Sequence, residues 1–245
     1  MNNGQYKRAP IQEAIIDLRL DTPCSYDAAA KAARKAKGEY FYSDPEGINE
    51  VTLDTLTGKH TSKQSQTGVK LSSLDRADVA LFRINGFTSA RLAPYFGWDN
   101  FCARTRRDWN IYKTALAHSK VVRIGVRYVN RIDIPTDPGA LRNLENYLTV
   151  FPNLPPGQFA PMTAYNIQVV RPFLVDNCNI IINSGLIPSP LLNHMSLVLD
   201  IDVGCDSHIP IKDADMWELI TRMRAHKNEI FEGCITDESR RIFDQ

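Results

Sequence analysis

Residues Val121–Pro135 read VVRIGVRYVNRIDIP, and their alternation decides the fold. At a period of two, Val122, Ile124, Val126, Tyr128, Ile132 and Ile134 fall on one side with Asn130 among them. Arg123, Arg127, Arg131 and Asp133 fall on the other. The spacing predicts a β-strand with an apolar face for a core and a row of arginines facing away from it. Near the start of the chain Ile11–Leu20 alternates in the same way. Ala14, Ile16, Leu18 and Leu20 oppose Glu13, Asp17 and Arg19, and Ile15 is the exception.

Each of these two strands leads into a similar order of elements. After Pro23, Ser25 is placed to cap an alanine-rich helix over 27–37 that stops at Gly38. Its Lys31, Arg34, Lys35 and Lys37 read as a solvated face. Short strand-like runs at 40–43, 51–56, 67–74 and 79–86 come next, separated by the turn residues 44–47, 57–58 and 74–75. An amphipathic helix is predicted over 99–118, with Trp98, Phe101, Cys102, Thr105, Trp109, Tyr112 and Leu116 on its apolar stripe. Arg104, Arg107, Asp108 and Lys113 fall elsewhere on it. After 121–135 a shorter helix is predicted over 140–148, then a proline-rich loop over 151–161 that suits a lid, a contact loop or a spacer. Strands are predicted at 164–170, 177–185 and 195–203, with Arg171-Pro172 and the prolines at 188 and 190 as breaks. A helix over 213–233 closes the series, and the tail 235–245 could extend it.

Strand, helix, antiparallel strands and long helix thus occur twice, once in 1–120 and once in 121–245, without residue-level repetition. The expected fold is α+β. Two topologically similar halves would form a curved antiparallel sheet with helices on one face, saddle-like as in the TATA-binding protein or helix-grip-like, in one pseudo-symmetric unit. Such an outline says nothing of function.

Composition narrows the functional classes. Lys and Arg number 29 against 28 Asp and Glu, so no global field gathers nucleic acid or an anionic membrane. Cys24, Cys102, Cys178, Cys205 and Cys234 are odd in number and scattered. They read as reduced thiols in a cytoplasmic protein, with neither a disulfide framework nor a zinc site. No window is apolar for long enough to cross a membrane, and the first ten residues lack the apolar run of a signal peptide.

Catalytic signatures are missing from the sequence. There is no glycine-rich phosphate loop, no G-x-S-x-G elbow and no paired-histidine metalloprotease motif, so no catalytic residue, metal or cofactor is predicted. Asp200, Asp202, Asp206 and His208 come nearest to a metal cluster and read as a solvated face, while His226 reads as a partly buried structural histidine. Triphosphate-tunnel enzymes line a barrel with alternating Arg, Lys and Glu, but their E-x-E-x-K strand is replaced here by Glu13-x-Ile15-x-Asp17.

The runs Pro10-Ile-Gln-Glu13-Ala-Ile-Ile-Asp-Leu-Arg19 and Ile124-Gly-Val-Arg127-Tyr128-Val-Asn130-Arg131-Ile132 resemble a sporadically distributed family of uncharacterised bacterial proteins of about this length. The resemblance implies a bacterial cytoplasmic protein encoded among accessory or mobile-element genes, and it implies no activity.

The candidate site is therefore the polar strand face: Glu13, Asp17, Arg19, Arg123, Arg127, Arg131 and Asp133. Arginine offers a planar fork suited to carboxylate or phosphate. A cross-strand ladder of ion pairs, with Glu13 and Asp17 meeting the arginines, would explain the same residues without a ligand. The expected function is a non-enzymatic binding module for a protein partner or a small anionic ligand, with homo-oligomerisation left open. The competing readings are an enzyme acting on a phosphorylated or nucleotide substrate at this face, and a nucleic-acid-binding saddle, which the near-neutral charge argues against.

Overall fold

The computed structural model describes residues 6–53, 55, 58, 60–136, 143–153, 162–173 and 176–244. The chain is α+β with antiparallel sheet, and it divides into two compact units. One comprises Ile16–Leu92 and Phe96–Arg123; the other comprises Met1–Ile15, Ala93–Tyr95 and Ile124–Gln245. Strand β1 (Ile11–Leu20) contributes its first half to the second of these and its second half to the first.

In the first unit β1 leads to helix α1 (Tyr26–Ala36), and Ser25 caps it by accepting from the Ala28 amide at 3.2 Å. Strands β2 (Tyr42–Leu53), β3 (His60–Ser72), β4 (Asp78–Arg83) and β5 (Gly86–Leu92) pair antiparallel in that order, and the end of β1 follows β5. Helix α2 (Trp98–Tyr112) and α1 pack on the sheet's apolar side. Five buried alanines of α1 let it lie close to β3 and β4. The core beneath α2 is aromatic: Phe82 and Phe87 meet edge to face at 5.4 Å, and Trp109 and Tyr112 cover them.

In the second unit β6 (Val121–Pro135), β9 (His194–Cys205), β8 (Cys178–Ile187) and β7 (Tyr165–Phe173) pair antiparallel in that spatial order. Helix α3 (Asp213–Cys234) packs over β9, and its Met216, Leu219, Ile220, Met223 and Phe231 are buried, as are Leu197, Leu199, Ile201 and Val203 of the strand. The tail does not extend α3. Thr236 caps a separate helix α4 (Asp237–Phe243) by accepting from the Ser239 amide.

Several expectations need correction. Residues 44–47 do not reverse the chain; β2 runs through them with a bulge at Glu46/Gly47. Likewise β7 runs through Pro172. Both strands are outermost in their units, where a proline's missing N–H breaks no ladder bond. Asp108, placed off the apolar stripe of its helix, is nonetheless fully buried; it accepts from Tyr40 at 2.5 Å and pairs with Arg107 at 2.9 Å. The cysteines are not all thiols, because the β8/β9 register sets Cys178 directly opposite Cys205 and the two form a disulfide. Cys24, Cys102 and Cys234 remain thiols. Of the helix predicted over 140–148, residues 143–148 contain only a 3-10 turn, Leu144–Asn146; the rest lies outside the described residues, as does most of the 151–161 loop. No helix among the described residues is long and apolar enough to cross a membrane.

Candidate functional site

The alternation of β1 and β6 places the predicted polar residues away from the helices, and the division of the chain sorts them into two groups. Asp17, Arg19 and Arg123 belong to the first unit; Glu13, Arg127, Arg131 and Asp133 belong to the second.

In the first unit Asp17 is the hub. It accepts from Arg19 at 3.1 Å, from Arg123 at 3.3 Å and from the Thr88 hydroxyl at 2.7 Å. Arg83 next to Thr88 binds Glu46 through two parallel bonds of 2.7 Å. Thr88, which also accepts from Arg83 at 3.4 Å, links the two groups of ion pairs across the sheet.

In the second unit the strongest pair involves Asp200, which the sequence pattern read as part of a solvated face and which is buried instead. Arg127 makes two parallel bonds to Asp200 on β9, at 2.8 and 2.7 Å. Asp200 is only 6% exposed and also accepts from Asn183 at 3.0 Å. The Asp200 hydrogen bonds raise the Arg127 pKa against the opposing effect of burial, and the charges of Asp202 and Glu13 act in the same upward direction. Glu13 thus contributes field rather than the direct partnership expected of it. The alternation of Asp200 and Asp202 in β9 could have revealed this face, but only the register shows which arginine they meet.

Arg131 is different. Its Nε donates to both oxygens of Asp133, at 3.0 and 3.1 Å, and Ser196 donates to the same carboxylate at 2.5 Å. No hydrogen bond from its two terminal nitrogens occurs among the described residues. Arg131 and Asp133 line a cavity of about 300 Å³, at the small end of the range for ligand sites. Arg8, Gln12 and His194 complete its polar lining; Pro10, Pro135, Leu191, Ile242 and Phe243 make an apolar wall. The Arg8 amide bonds to the Phe243 carbonyl at 2.9 Å, tying the N-terminal segment to the end of α4.

The guanidinium groups around this cavity offer donors to an anionic group. Serine, histidine and aspartate are all present, but Ser196 donates to Asp133 rather than to an imidazole. His194 Nδ1 lies 2.8 Å from the Leu192 carbonyl, so it carries the proton and Nε2 is the free ring atom. No nucleophile–base bond is assembled among these groups, as acyl transfer would require. Two guanidinium groups against one committed carboxylate give the lining a net positive charge.

No protein-family model matches the chain, and no curated protein matches it in sequence.

Proposed function

We propose that the protein is a non-enzymatic binding module whose second unit holds a small anionic ligand in the Arg131–Asp133 cavity. One observation carries this reading. Arg123 and Arg127 are matched by carboxylates within the sheet, whereas Arg131 and Arg8 line a cavity whose one carboxylate, Asp133, is already held by Arg131 and Ser196. The ligand's charged group meets the two guanidinium groups, and its apolar body lies along Leu191, Ile242 and Phe243. On this reading the antiparallel strands and long helix that follow β1 and β6 are a duplicated topology, and the unit that contains most of β6 holds the ligand site.

Native mass spectrometry of the purified protein and calorimetric titration with benzoate test the proposal, with benzamide as the uncharged control. Benzoate binds and benzamide does not, and Arg8→Gln combined with Arg131→Gln lowers benzoate affinity by about ten-fold or more, the loss of a charge-assisted contact. Equal binding of the two probes, or an unchanged affinity in a folded double variant, would falsify it.

A further inference from the structure

The near-neutral total charge conceals a division between the two units. The first holds 17 Lys and Arg against 12 Asp and Glu, whereas the second holds 12 against 16. Within the first unit the surplus is not spread evenly. On its polar sheet face Asp17 and Glu46 are matched by Arg19, Arg123 and Arg83. On α1 the five buried alanines press against the sheet and turn Lys31, Arg34 and Lys35 outward, three and four residues apart on one face. Lys37 follows in the 3-10 turn Lys37–Glu39. All four are exposed, and none forms an ion pair among the described residues; Lys35 reaches the Thr114 hydroxyl at 3.4 Å.

That 3-10 turn leads into Phe41 and Tyr42, whose rings meet edge to face at 4.8 Å. Phe41 is 63% exposed, although phenylalanine is among the residues most often buried. Four residues after Lys37, it lies within about 14 Å of that lysine even along a fully extended chain. Arg76, from the turn between β3 and β4, is exposed and sets its guanidinium 3.9 Å from the centre of the Tyr42 ring. It too forms no ion pair among the described residues. Of the neighbouring carboxylates, Glu39 is held by Arg107 at 2.7 Å, and Asp75 by the Ser73 hydroxyl, the Ala77 amide and Arg91. Asp44 remains, and Asp27 sits in the first turn of α1, where the helix dipole favours it. The opposite end of that dipole accounts for Arg34 and Lys35. It does not account for Arg76, or for an exposed aromatic ring beside these cations.

We propose that this patch binds single-stranded nucleic acid: a base stacks on Phe41, Lys37 and Arg76 meet the phosphates next to it, and the row Lys31, Arg34 and Lys35 continues the track. Five cations against Asp27 and Asp44 select a polyanion. The exposed ring selects a strand with open bases, because a duplex keeps its bases stacked on one another and would leave Phe41 unused. None of these residues belongs to the unit that holds the Arg131 cavity, so the outcome here and that of the benzoate titration are independent.

Fluorescence anisotropy of a labelled oligothymidylate of about 20 nucleotides, titrated with the full chain at about 50 mM salt, tests the proposal. A duplex of the same length and phosphatidylserine vesicles serve as comparisons. The oligothymidylate binds saturably, and more tightly than either. Lys37, Phe41 and Arg76 are exposed, so their variants should retain the fold and the urea midpoint of the parent. Phe41→Ala weakens binding by about five-fold or more, the loss of one stacked base. Lys37→Gln combined with Arg76→Gln lowers the slope of log K against log salt by about 1.4, two phosphate contacts at about 0.7 each. The proposal is overturned if the oligothymidylate does not bind, if the duplex or the vesicles bind as tightly, or if either variant binds as the parent does.

Discussion

Arg127 and Arg131 share a strand face, yet truncating them should have different consequences. Removing Arg127 leaves Asp200 buried with Asn183 as its remaining side-chain donor. Because the Arg127 side chain is 46% exposed, the cost falls below that of a fully buried pair; Arg127→Ala should lose about 2–3 kcal/mol in urea unfolding. Arg131→Ala should lose no more than about 1 kcal/mol, since Asp133 retains Ser196 and some access to water. Equal losses would show that Asp200 is better solvated than its burial implies. Lys227 is the other residue whose energetics can be tested alone. It is 5% exposed, with its ammonium 3.8 Å over the Tyr128 ring. Burial, reinforced by the Arg224 charge and opposed by Glu232, pulls its pKa down to about 7. Between about pH 7 and about pH 10 the unfolded chain then holds a proton that the folded protein has released, so this residue's destabilising effect is complete below pH 7 and fades as pH rises. Lys227→Met should stabilise by on the order of 3 kcal/mol at about pH 6, and by much less at about pH 9. A gain that did not shrink with pH would mean that packing rather than charge is responsible.

Individual elements differ in how well the sequence foretells them. β1, β6 and the long helices were legible because their periodicities reach over ten residues or more and their buried sides are uninterrupted. The reversals read at 44–47 and at Pro172 were misplaced because proline marks a turn only where its missing N–H matters, and edge position is a property of the sheet. For the same reason Asp200 looked like a surface residue and Asp108 fell off the apolar stripe of its helix. What buries a carboxylate is the partner brought by another element: Arg127 from β6 for one, Tyr40 and Arg107 for the other. The close approach of β5 to β1 was equally hidden. A Cβ on Gly86 would lie 2.4 Å from the Leu18 carbonyl oxygen, which is backbone and cannot swing aside. Gly86→Ala should therefore cost more than about 2 kcal/mol in chemical denaturation. Gly38→Ala, with nothing within 4 Å of its Cβ, should be neutral or stabilise by up to about 0.5 kcal/mol.

At the scale of the whole molecule, the Cys178–Cys205 bond is the one covalent tie within the chain, among the described residues, beyond the backbone itself. It closes a loop of 27 residues' separation, for which the chain-entropy model gives about 3–4 kcal/mol. Reductant should lower the urea midpoint of the parent by a corresponding amount and leave that of a Cys178→Ser, Cys205→Ser variant unmoved; an insensitive parent would mean that the bond does not form in solution. The membership of β1 reaches further. Its residues up to Ile15 serve one unit and those from Ile16 serve the other, and 93–95 also belongs to the unit that is otherwise C-terminal. No single cut in the chain therefore releases a complete unit. A gene split at the Ala117–His118 turn would yield two pieces that are each missing part of a unit, and we expect each to remain poorly ordered alone and to regain its circular dichroism when mixed with the other. The chain would then behave as a two-component reconstitution system, in which one piece lends the start of β1 and residues 93–95 and the other returns 118–123.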